Sequence, residues 1–122
     1  MLSVAPAIKI YLCLPATDMR KGFDSLANIV SSVLKQDPLS GHLFVFRSKR
    51  GDRLKILYWN THGYALWYTR LEAGAFRFPA RADGEQKSLS ISAADLAMLL
   101  DGVDLASVRR SKCYQRPAAA VA

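Results

Sequence analysis

The spacing of apolar residues along this chain changes character twice. Ile8 to Leu14, IKIYLCL, is dense in β-branched and aromatic residues and predicts a short strand. Pro15 ends it, because proline fixes its own φ and has no N–H to give to a ladder. In TDMRKGFDSLANIVSSVLKQDP, Phe23, Leu26, Ile29 with Val30, and Val33 with Leu34 recur at helical spacing as one apolar stripe. Gly22 stands just before the stripe, and Asp37-Pro38 marks its predicted stop.

From Gly41 the period becomes that of a strand. HLFVFR, Leu54 to Trp59 and YALWYTRLE are aromatic and β-branched. SKRGD, NTHG and the Ala73-Gly74 pair before FRFP separate them, and connections this short imply an antiparallel meander of about three or four strands. Alternation sets His42, Phe44 and Phe46 against Leu43, Val45 and Arg47. It likewise sets Tyr64, Leu66, Tyr68 and Arg70 against Ala65, Trp67, Thr69 and Leu71. Both faces are fairly apolar, so helices should cover at least part of one side. Past the polar RADGEQKS, SLSI predicts a short strand. SAADLAMLLDG predicts a second helix, with Ser92 and Asp95 at capping-box spacing, Leu96, Leu99 and Leu100 as its apolar face, and Gly102 at its end. The pattern adds up to an α+β fold, an antiparallel β-meander of about four or five strands packed with two main helices. A single domain is expected over residues 1–110, with a basic tail over 111–122 that frays after Pro117.

Length and composition support that picture. With 122 residues, 51% of them apolar, the chain can bury a core and is not held open by charge. No apolar run approaches the ~20 residues of a membrane span. The first residues have no positive region, and Lys9 interrupts their apolar run, which argues against a secretory signal. A cytoplasmic protein is expected, with Cys13 and Cys113 as reduced thiols rather than a disulfide. Two histidines, His42 and His62, and no CxxC spacing give no metal motif. The ten carboxylates are scattered, and no phosphate-binding glycine loop, nucleophile elbow or HExxH helix is present. Neither catalytic residues, nor a metal, nor a cofactor is expected.

The net charge of +7 is more informative, since such a field draws polyanions. In FRSKRGDRLK, residues 46–55, five of ten residues are basic and one is acidic. Arg47, Lys49, Arg50, Arg53 and Lys55 converge on one hairpin end, where Gly51 permits a tight turn and Lys55 is expected at the rim of a buried strand. The competing explanation is that hairpin tips are polar anyway and that charge keeps edges from aggregating. Arg20 and Lys21 lie at the opening of the first helix, where cations oppose the helix dipole. Arg109 and Arg110, with Lys112 and Arg116, suit either a flexible DNA-binding arm or a solvated terminus. Tyr58, Trp59, Tyr64, Trp67 and Tyr68 gather on adjacent strands and could stack on bases, although aromatic residues in strands usually belong to the core.

TDMRKGFDSLA, DPLSGHLFVFRSKRGDRLKILYW, GYALWYTRLEAGAFRFP and LAMLLDGVD, taken in order, resemble the TnpB accessory proteins of the insertion-sequence-66 family. These are products of the element's second open reading frame, unrelated to the RNA-guided nuclease of the same name. The resemblance runs from about Ile8 to Arg110 and implies a small bacterial protein needed for an element's movement beside a separate, larger transposase, and not itself the strand-transferring enzyme. It brings no functional residues, so the candidates remain Arg47, Lys49, Arg50, Arg53, Lys55, Arg20, Lys21, Arg109 and Arg110, chosen on charge and exposure. The expected function is a non-catalytic accessory protein that grips DNA backbone through the basic hairpin. The alternative is an adaptor that docks on the transposase without binding DNA appreciably; a metal-dependent nuclease is least favoured. Uncovered sheet edges leave room for a homo-oligomer.

Overall fold

The computed structural model describes residues 7–78 and 86–101. Their elements are β1 (Ile10–Cys13), α1 (Phe23–Ser32), β2 (Leu43–Arg47), β3 (Arg53–Trp59), β4 (Tyr64–Arg70), β5 (Ser88–Ile91) and α2 (Ala93–Leu100). The strands form one sheet in the order β4-β3-β2-β1-β5. The meander expected from the short connections is β2-β3-β4, paired antiparallel with Val45 opposite Ile56 and Lys55 opposite Tyr68. SLSI forms β5, antiparallel to β1. The β1–β2 pairing is parallel, Ile10 opposite Leu43, with α1 as the crossover that parallel neighbours require. The fold is α+β with a mostly antiparallel sheet, and a helix packs on each face.

Alternation decides which helix meets which face. Cys13, Phe44, Phe46 and Leu57 point to one side and pack with Leu26, Ala27, Val30 and Leu34 of α1 and its exit. Ile10, Leu12, Leu43, Val45, Leu54 and Ile56 point to the other and pack with Phe76 and with Leu96 and Leu99 of α2. This double covering explains why β2 reads as a nearly continuous apolar run. Phe44 and Phe46 are fully buried, each contributing about 1.5–3 kcal/mol by removal from water.

Two details depart from the expected pattern. α1 stops at Ser32, well before Asp37-Pro38. Lys35 enters the left-handed region at φ 57°, and the Gln36 N–H returns 3.0 Å to the Val30 carbonyl. FRFP supplies no further strand through Phe78. Instead the Phe76 N–H bonds the Gly51 carbonyl at 2.7 Å and the Phe76 ring seals the α2 face. The capping box is present in both directions, Asp95 N–H to Ser92 Oγ at 3.0 Å and Ser92 N–H to Asp95 Oδ2 at 3.4 Å. No helix among the described residues is long and apolar enough to cross a membrane. Gly102, Arg109, Arg110, Cys113, residues 81–85 of the polar loop and the tail lie outside the described residues.

Candidate nucleic-acid interface

The β2–β3 turn is built around Ser48. Its hydroxyl, buried at the end of β2, accepts the Gly51 and Arg53 N–H groups at 3.1 Å each and donates to Asp52 Oδ1 at 3.3 Å. Gly51 has φ 81°, and a Cβ there would sit 3.2 Å from the Ala75 Cβ. Only glycine fits both the backbone and the contact. The Leu71 N–H bonds the Asp52 carbonyl at 2.7 Å, so the chain after β4 braces the turn from behind, together with the Phe76 bond to Gly51. The turn is therefore held rather than loose, and it presents Lys49, Arg50 and Arg53 to solvent.

Facing it is the 16–21 segment, tied down by two of the basic residues themselves. Lys55 is only 6% exposed; its ammonium donates to the Met19 and Lys21 carbonyls at 2.7 and 2.8 Å and lies 4.7 Å from the centre of the Tyr68 ring. Two of the ammonium's three donors are thus taken by carbonyls, and the ring adds a cation–π contact. Arg47 is half-buried. Its Nη2 donates to the Leu14 carbonyl at 2.8 Å, its guanidinium lies 5.1 Å from the Phe78 ring centre, and its carbonyl accepts the Thr17 N–H at 2.8 Å. Its Nε is buried without a hydrogen-bond partner. Lys55 and Arg47 thus brace the wall opposite the hairpin, with their charged groups bonded to backbone carbonyls. The rim position expected for Lys55 is an interior one, because the 16–21 segment folds over the end of β3.

Between turn and segment runs a groove of about 510 Å3, with Asp18 and Arg20 on one wall and Lys49, Arg50, Asp52 and Arg53 on the other. Arg20, 91% exposed at its side chain, forms a bidentate pair with Asp18, the shortest contact being 2.8 Å. These hydrogen bonds, with the Arg20 N–H at 2.9 Å, lower the Asp18 carboxyl to about 2 and keep it ionised. The other ion pair among the described residues joins Arg70 and Glu72 at 3.5 Å. Lys49, Arg50 and Arg53 have no acidic partner there. Lys21 is half-buried and contributes its carbonyl to Lys55 rather than lining the groove. Arg109 and Arg110 lie outside the described residues.

Of the aromatic group, Tyr58 and Trp67 pack against the α2-side core and Tyr64 against the α1-side core; Trp59 meets Tyr64 edge-on at 5.2 Å. Tyr68 alone among them is strongly exposed, at 49%. Arg70 belongs with the groove's surroundings although charge clustering along the chain did not single it out. The signal was the register, which sets Arg70 directly opposite Arg53. Among the described residues no three of His, Cys, Asp and Glu are grouped to hold a metal. Burial raises the Cys13 thiol above its ordinary range, outweighing its bond to Thr17.

Comparison with known proteins follows the same span. Residues 8–110 match the family model described as IS66 Orf2 like protein. The uncharacterized protein y4hO of Sinorhizobium fredii is 40% identical over 104 residues, covering 85% of this chain and 88% of that protein. The uncharacterized protein y4jC of the same organism is 37% identical over 117 residues, covering 96% and 97%. No solved structure matches the chain significantly. With its family model spanning most of the sequence, and relatives of 40% and 37% identity matched over most of their length, this chain belongs to the IS66 Orf2-like family.

Proposed function

We propose that this protein is a non-catalytic accessory factor of insertion-sequence transposition that binds DNA along its phosphate backbone and assists a separate transposase in the bacterial cytoplasm. Membership of the IS66 Orf2-like family supports the link to transposition. The observation that carries the DNA-binding reading is the groove between the β2–β3 turn and the 16–21 segment. It gathers Arg20, Lys49, Arg50 and Arg53 against two acids, and three of the four cations have no acidic partner among the described residues. Fixed cations spread along a groove suit phosphates and carry no base code, so the contacts position DNA rather than read it.

The test is a binding titration of the purified chain against duplex DNA at several salt concentrations. The Lys49→Ala, Arg50→Ala double variant should bind more weakly, and its plot of log affinity against log salt should flatten by about one to two units while its unfolding midpoint is unchanged. An unaltered salt slope removes the hairpin from DNA binding. Failure of the wild-type chain to bind duplex at ~0.15 M salt, combined with nuclease-resistant co-purification with the transposase, establishes the adaptor in its place.

A further inference from the structure

A second cleft, about 340 Å3, opens beside the first and is lined by Arg53, Tyr68, Arg70 and their neighbours. Arg53 lines both, so the two are joined through its side chain. Tyr68 is an unusual surface residue. Its hydroxyl is met by Arg53 Nη1 at 3.4 Å and its ring lies 4.7 Å from the buried Lys55 ammonium, yet half of it stays open to solvent. With the ammonium over one ring face, a stacking base would meet the opposite one. The ring does not plug the core: the α1-side core takes Tyr64 and Leu66 from the same face of β4 and ends before Tyr68. The result is an aromatic plate fixed on one face and at its hydroxyl, with the guanidinium groups of Arg53 and Arg70 on the neighbouring rung of the sheet and Arg70 paired with Glu72.

From this geometry we infer that Tyr68 stacks an unpaired base of single-stranded DNA, with Arg53 and Arg70 on the next rung holding the adjoining phosphates. A base within a duplex has both faces covered by its neighbours, whereas a single strand offers a free face to an aromatic ring, and cations beside the ring track its backbone. A ring already held in place loses little freedom when a base settles on it. The phosphates running through the first groove pass Arg53 and reach the plate, so the two clefts hold one strand. This assignment rests on the DNA-binding reading above and narrows it to a strand partly opened.

The test uses the full chain with labelled oligothymidylate and with a duplex of equal length at one salt concentration. Tyr68→Leu should weaken the single-strand complex about 5- to 100-fold and change the duplex complex less than twofold, while Tyr68→Phe keeps both. Wild-type binding to duplex with no single-strand loss in Tyr68→Leu overturns the stacking site and leaves phosphate binding standing. Binding to neither form overturns both. Should the leucine variant unfold, crosslinking of the wild-type chain to oligonucleotides carrying iododeoxyuridine decides the matter. An adduct on Tyr68 supports the plate, and adducts confined to other residues overturn it.

Discussion

Lys55 shows how far the position of one charge can depend on chain that lies far from it in sequence. Along the strand it is one more cation in a basic cluster; in the fold it is a buried crosslink between β3 and two carbonyls of the 16–21 segment. Replacing it by methionine keeps the stem and removes both charge-assisted bonds, leaving the Met19 and Lys21 carbonyls without their donor. The expected loss is about 2–4 kcal/mol, read as a lower urea midpoint at unchanged m-value. Lys49→Ala, at an exposed position with no partner among the described residues, should move the same midpoint by less than about 0.5 kcal/mol. Gly51, Ser92 and Asp95 were legible from the sequence because their roles are local: a φ sign and a bond three residues away. Lys55 and Arg47 were not, because nothing in FRSKRGDRLK says which segment will close over it. The Asp18–Arg20 pair lies between, since the two residues are near neighbours but the groove they face is made by the hairpin.

At the scale of elements, the local signals were accurate and the long-range pairings were hidden. Period-two alternation placed Phe44 and Phe46 opposite Val45 and Arg47, and the structure sends these two sets to different cores. Short connections led to the β2-β3-β4 meander. The insertion of β1 between β2 and β5 had no such cue, because hairpin chemistry speaks only for strands adjacent in sequence. FRFP carries strand-like composition, yet the Phe76 N–H is taken by the turn at Gly51 and not by a ladder. The second helix rests on its capping box more than most. α2 spans only Ala93–Leu100, too short to persist without its cap and its packing. Ser92→Ala should cost about 1 kcal/mol, visible as a lower thermal midpoint, with the Leu96 and Leu99 contacts otherwise intact.

For the molecule as a whole, the excess of positive charge can act as a diffuse field or as a localised grip, and the two are separable. Deleting residues 111–122 removes Lys112 and Arg116, and the hairpin double variant removes Lys49 and Arg50; each takes the net charge from +7 to +5. A diffuse field would make them equivalent. A localised grip makes the hairpin variant flatten the salt dependence of duplex binding by about one to two units, and the deletion by less than half as much. The sequence revealed the charge and its clustering on the hairpin, but not the division of labour within the cluster, in which two cations build a wall and three face the groove. The sheet order has a different consequence. β1 meets β2 across the α1 crossover, and β5 only after the whole β2-β3-β4 meander has been laid down, Ile10 opposite Ile91. Closing so long a loop is the slowest entropic step in assembling this sheet, which makes the seam between β1 and β5 the last to zip and the natural first place for the native state to breathe.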